Sequence, residues 1–162
     1  MSVFISYKHL DRDLAMQIDR RLKLDNITTY LDVLDAESQS TVDITTVITK
    51  NIAKCTHLIA VVSKETATSW WVPFEIGEAT ISAKRIASYR SSFSSLPEYL
   101  EMWPKMDSMQ HLDLFIETYK NEQRESAYNR NIFESVGSVG SVGVKSASDF
   151  HSTLKAKIRR GY

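Results

Sequence analysis

The chain has 162 residues, 43% apolar and 25% charged, which suits one soluble domain with a sizeable core. Lysine plus arginine equals aspartate plus glutamate at 20 each, so bulk charge makes no case for nucleic acid or an acidic membrane as partner. A lone Cys55 excludes an intramolecular disulfide, and with no apolar run of about 18 residues and no signal-peptide pattern the chain reads as cytoplasmic.

Val3-Phe-Ile-Ser-Tyr7 is a short apolar strand. After a loop, Asp11 or Asp13 can cap a helix whose inner face carries Leu14, Ile18 and Leu22 with Ala15 beside them. Asp25-Asn26 breaks that helix near residue 24, and Ile27 to Leu31, β-branched and aromatic, forms a second strand. Asp32 to Gln39 is an acidic loop. Ser40-Thr-Val-Asp43 then reads as a capping box, opening a helix with Ile44, Val47, Ile48 and Ile52 on its inner face. Cys55, between helix and strand, reads as a small buried thiol.

A continuous apolar run from His57 to Ser63 reads as a fully buried third strand. Ser69 can cap the next helix, and Pro73, tolerated only in a first turn, places its start near Trp71. At about 100° per residue, Trp70, Phe74, Gly77 and Ile81 share one face, expected to pack on the sheet with Gly77 allowing close approach. Trp71, Glu75, Glu78 and Ser82 share a second face, so an indole and a carboxylate sit one turn apart at the mouth of the helix. For an arbitrary helix such residues are simply surface. This pair, however, falls at a strand–helix junction, where open α/β sheets hold ligands.

The helix is expected to reach Lys84, followed by a short fourth strand over Arg85–Tyr89. The βαβαβαβ order argues an α/β fold: a central parallel sheet of four to five strands with helices on both faces. Ser91 to Ser95 reads as a polar loop and Pro97–Trp103 as a short helix. Leu112, Phe115, Ile116 and Tyr119 mark an amphipathic helix, and Asn121–Arg130 is charged and exposed. Residues 135–143 repeat Ser-Val-Gly three times, a period too short for a solenoid. They read as a loop in which an edge strand remains open. Phe150, Leu154 and Ile158 close the fold as a final helix of one domain spanning 1–162. The basic Lys155–Arg160 run reads as a helix terminus before it reads as a phosphate site.

All five glycines fall at 77, 137, 140, 143 and 161. A P-loop or Rossmann fingerprint, which needs glycines after the first strand, is therefore excluded. The histidines at 9, 57, 111 and 151 show no metal-ligand spacing, so no metal and no cofactor is expected.

In combination, Val3-Phe-Ile-Ser-Tyr7, Tyr30-Leu-Asp32, and Val62-Ser63 followed by Ser69-Trp-Trp71 and Glu75 resemble the TIR (Toll/interleukin receptor) domains, and within them stand-alone prokaryotic antiphage proteins of the Thoeris type. The resemblance covers most of residues 1–88 and implies a flavodoxin-like fold. It also implies NAD as substrate, cleavage of the nicotinamide–ribose bond, a product sensed by a separate effector protein, and a homo-oligomer that completes the site. The Trp-x-x-x-Glu pattern implies that Glu75 is catalytic and that Trp71 stacks on nicotinamide. Ser6, Tyr7 and Lys8 at the end of the first strand, and Asp32 at the end of the second, become candidate substrate contacts. Equally, Tyr7 reads as core and Lys8 as a solvated cation. The loop after Asp32 lacks the Arg-Asp-x-x-Pro-Gly pattern of animal receptor and adaptor members.

A non-enzymatic assembly module is the competing reading. A phosphoacceptor receiver domain is set aside, because it wants an acidic pair after the first strand, where this chain has Ser6-Tyr7-Lys8. A nucleoside deoxyribosyltransferase-like enzyme, which also uses a glutamate on such a fold, is a minor alternative.

Overall fold

A computed structural model describes residues 1–31, 41–64, 66, 69–91, 97–136 and 146–161. In chain order the elements are β1 (Ser2–Ser6), α1 (Arg12–Leu24), β2 (Thr28–Leu31), α2 (Thr41–Lys54), β3 (His57–Val62), α3 (Trp71–Ile81), β4 (Arg85–Arg90), β5 (Lys105–Met106), α4 (Met109–Val136) and α5 (Ala147–Arg160). The five strands form one parallel sheet in the order β2-β1-β3-β4-β5. Chain order reverses at β1, so β1 and β3 lie side by side at its centre. In doubly wound sheets such a switch point opens a crevice beyond the strands' carboxyl ends.

Strand alternation sorts the core into two layers. Val3, Ile5, Ile59, Val61 and Ala87 face α1, α4 and α5, which contribute Ile18, Leu22, Phe115, Tyr119, Phe150 and Leu154. Phe4, Leu58, Ala60, Val62 and Ile86 face the other way, onto Ile48 and Ile52 of α2 and Val72, Ile76 and Ala79 of α3. The periodicities read for α1, α2 and α5 thus point inward as expected, apart from Val47, which is half-buried and outside both core layers, and Ile44, whose side chain lies outside the described residues. Cys55 is buried, and that burial pushes its thiol up from the ordinary value. Among the described residues no helix is long and apolar enough to cross a membrane.

The inner face of α3 differs from the expectation. Val72, Glu75, Ile76 and Ala79 are buried, whereas Trp70 is 89% and Ile81 90% exposed, with Phe74 and Gly77 also at the surface. The two sets point in opposite directions around the helix. Because α3 is apolar on both sides, hydrophobicity does not choose between them. The smaller set packs closely on the sheet and carries Glu75 inward to a polar partner on β1. Gly77 makes no close approach, since an added Cβ would meet nothing within 4 Å.

Other differences are local. α3 ends at Ile81, and Ala83 turns the chain with φ +51° before β4. The fifth strand is Lys105–Met106, paired with Ser88 and Tyr89 of β4. Pro97–Trp103 contains only a 3-10 turn, Glu98–Leu100. The amphipathic helix and the charged stretch after it are one element, α4, largely exposed over 123–131 and continuing to Val136, within the first Ser-Val-Gly repeat. The rest of the repeats, the 92–96 segment and Ser40 of the expected capping box lie outside the described residues. A capping box does open α5: the Ser146 hydroxyl accepts from the Asp149 N–H, and the Asp149 carboxylate accepts from the Ser146 N–H.

A second charged feature lies under α4. The Glu122 carboxylate accepts from Nε of Arg85 at 2.7 Å and lies 3.3 Å from Nε2 of the fully buried His57. The rings of Phe115, Tyr119 and Phe150 surround that histidine. Burial pushes His57 below its ordinary value. Burial would push Glu122 up, but its contacts with His57 and Arg85 outweigh this and hold it below the usual carboxylate range.

Candidate functional site

The site is built at the carboxyl ends of the central strands. β1 ends at Ser6, the register partner of Ala60 on β3. Alternation turns Ser6 to the same side as Phe4, toward α2 and α3. α3 begins at Trp71, as Pro73 requires, and Ser69 Oγ accepts from the Val72 N–H at 3.4 Å beside its first turn. One turn on, Glu75 points back at the sheet with no exposed surface, and Ser6 Oγ donates to its Oε2.

A carboxylate excluded from water is costly unless polar groups compensate it. A hydroxyl donating to an ionised oxygen is among the stronger compensations. The Ser6–Glu75 bond therefore fixes where the carboxylate sits and which oxygen it turns to β1. Trp71 is half-buried one turn earlier, packed against the α2/α3 core and edge-on to Phe74, with ring centroids 6.0 Å apart. Glu78 takes no part. It is half-exposed and accepts from Thr49 Oγ1 of α2 at 3.2 Å, joining the two helices.

Two residues beside this pair have a role that the sequence reading missed. Asp11 occupies the cap position of α1 without capping it by its side chain. Its Oδ2 instead accepts from Ser63 Oγ at 2.8 Å, and the Ser63 N–H donates to Thr66 Oγ1 at 2.9 Å. The loop leaving β1 is thereby tied to the loop leaving β3. No periodicity or motif announces this contact. It follows from the parallel adjacency of the two strands, which brings distant polar residues to one edge.

The other candidates are placed as follows. Tyr7 is buried in the α1/α4/α5 core layer, the place its reading as core gives it. Lys8 is half-exposed and His9 exposed on the loop leaving β1. Asp32 lies outside the described residues. Among the described residues no group of three or more histidine, cysteine or acidic side chains could hold a metal.

A sequence model described as the TIR domain matches residues 3–129, so it takes in β1 through most of α4. A comparison with curated proteins found no match. Among solved structures, the TIR domain of the Toll-related receptor TRR-2 from Hydra magnipapillata is similar at a TM-score of 0.54 and 15% identity, over 84% of this chain and 98% of that one. The TIR domains of the activated Roq1 resistosome, which recognises the pathogen effector XopQ, give 0.47 at 16% identity, over 96% of this chain and 81% of that one. A 2-desoxiribosyltransferase from Leishmania mexicana gives 0.47 at 16% identity, over 61% and 75%. With a parallel 2-1-3-4-5 sheet and a family match over most of its length, the chain belongs to the TIR domain family.

Proposed function

We propose that this TIR domain cleaves NAD at the bond between nicotinamide and ribose, with Glu75 as the catalytic carboxylate. The observation that carries the reading is the fully buried Glu75, held by Ser6 at the carboxyl end of the central strands. A carboxylate desolvated at a ligand-binding edge is placed to stabilise positive charge.

The chemistry needs little else. As the C1′–N bond breaks, its electron pair goes to the pyridinium ring and neutral nicotinamide departs without a general acid. The ribose becomes oxocarbenium-like, and a carboxylate beside it stabilises that charge. Trp71 supplies an aromatic surface for the nicotinamide. Water attacking C1′ and losing a proton gives ADP-ribose, whereas a hydroxyl or ring nitrogen of the substrate gives a cyclic product and a bound amine a conjugate. In this reading the product is a nucleotide signal in antiphage defence, sensed by a separate effector protein, and a homo-oligomer completes the site.

The test is nicotinamide release from NAD, with product masses, by the parent chain and by Glu75→Gln. Release that disappears in the variant supports the reading, and equal release from both moves the active site elsewhere. Silence of the parent, even when concentrated, favours a second reading, a non-enzymatic assembly module. The outward Trp70, Phe74 and Ile81 favour that alternative, since they form an apolar face on one helix.

A further inference from the structure

The opposite end of the sheet carries a cleft of about 600 Å³. Its walls are the turn from α3 into β4, the Met102–Trp103 segment before β5, and one side of α5. Lys84 and Ile86 belong to the start of β4, whereas Ser6 and Glu75 gather at the strands' carboxyl ends. Through β3 the register sets Ser6 level with Ser88, so Lys84 and Ile86 lie four and two residues before that level, roughly 7–13 Å of strand at 3.3 Å per residue.

The charge of this cleft is one-sided. Lys84, Lys155 and Arg159 line it, and among the described residues none of its lining is acidic. In a chain with 20 cations and 20 anions that is a local imbalance. Lys84 Nζ donates to the Ala53 carbonyl at 3.0 Å, and Lys155 Nζ donates to the Met102 carbonyl. Both bonds hold an ammonium in place without neutralising it, and each ammonium has further N–H donors. His151 adds no counter-charge. Its Nε2 accepts from the Ile86 N–H at 2.8 Å, while burial and the charges of Lys155 and Arg85 lower it to about 4.

The rest of the lining is apolar and hydroxylic. Ile86 and Trp103 are buried side chains that edge the cleft, and Met102 is 63% exposed. The volume lies within the range of small-molecule sites, which combine apolar walls with a few fixed polar groups.

We propose that this cleft is a second ligand site, for a phosphorylated small molecule of nucleotide size. Its phosphates meet Lys84, Lys155 and Arg159, and its flat apolar part lies against Met102, Trp103 and Ile86. Several cations without a carboxylate favour a multiply charged anion over a single carboxylate. The site does not depend on NAD cleavage at Glu75, and it gives the basic end of α5 a use beyond closing a helix.

The test is calorimetric titration of the full chain with ATP, inorganic triphosphate and adenosine. ATP is expected to bind more tightly than triphosphate, with adenosine weakest. Affinity should fall about tenfold or more in Arg159→Glu, the loss of one charge-assisted contact, and fall as salt rises. Arg159 is exposed in the last turn of α5, and an unchanged melting temperature establishes that the variant folds. Ala156→Trp, which fills the cleft without removing charge, is expected to weaken ATP as well. Glu75→Gln is expected to bind ATP like the parent, which separates this site from the catalytic one. ATP affinity unchanged in both cleft variants overturns the proposal, as does absence of ATP binding. Triphosphate binding as tightly as ATP overturns the nucleotide-sized assignment.

Discussion

The Ser6 hydroxyl at the end of β1 donates to the Glu75 carboxylate one turn into α3, joining residues 69 apart in sequence in a contact shielded from water. Ser6→Ala removes the donor and leaves the charge in place. A lost hydrogen bond to a buried charged group costs about 1.5–3 kcal/mol, so the melting temperature should drop and nicotinamide release should fall about tenfold or more. Glu75→Gln keeps an oxygen that can accept from Ser6. It should melt close to the parent yet lose about a hundredfold or more of activity. Parallel melts and nicotinamide assays separate the two effects.

Acid should destabilise the fold in two stages. His151 has a folded value of about 4 against an ordinary 6.5, so the unfolded chain binds more protons between those values. Its contribution is complete above about 6.5 and is lost as pH falls toward 4. Glu122 is held below its ordinary 4.5, so its contribution is present above that value and disappears as pH falls through the lower folded one. Melting temperatures should hold level from pH 7.5 to about 6.5 and decline from there to 3.5. His151→Gln, which can still accept from Ile86, should make the upper part shallower, and what slope remains there belongs to His57, also held below its ordinary value by burial.

Two exchanges should stabilise the chain. Gly77 occupies an exposed helical position where a methyl group meets nothing, and Gly77→Ala should gain up to ~1 kcal/mol from helix propensity. Ala83 holds a left-handed turn that suits glycine, and Ala83→Gly should gain roughly 0.5–1 kcal/mol by removing that strain. Urea denaturation midpoints read both.

If the outward face of α3 drives self-assembly, Trp70→Ser with Ile81→Gln should abolish concentration-dependent sedimentation while leaving the melting temperature nearly unchanged, because neither side chain contributes to the core. A parent that sediments as a monomer at all concentrations removes this use of the face.

β1 to β4 were legible because each is a short run of mainly β-branched or apolar residues. Pro73 made the start of α3 legible. The face of α3 was not, because Trp70, Phe74 and Ile81 compete with Val72, Ile76 and Ala79 on apolar character alone. What distinguishes the two sets is the bond from Ser6 to Glu75, a contact across the fold that no local pattern encodes. β5 was missed for a related reason: two residues, Lys105 and Met106, carry no period and become a strand only because β4 offers an edge. The Asp11–Ser63 and Glu122–Arg85–His57 contacts likewise exist only once topology has placed their elements side by side. The cleft beneath β4 was half visible, since its α5 cations stand in the sequence while their partner Lys84 sits on a distant turn.

The three tryptophans give the molecule a built-in set of optical reporters. Trp70 is in water, Trp71 is half-buried near Glu75, and Trp103 is buried at the edge of the basic cleft. Their emission should therefore span the range from solvent-like to core-like. With two of them changed to phenylalanine in turn, a blue shift of Trp70 would register contact on the outer face of α3. Quenching of Trp71 would register occupancy beside Glu75, and a change at Trp103 would register occupancy of the cleft, so that the three surfaces can be followed separately in one cuvette.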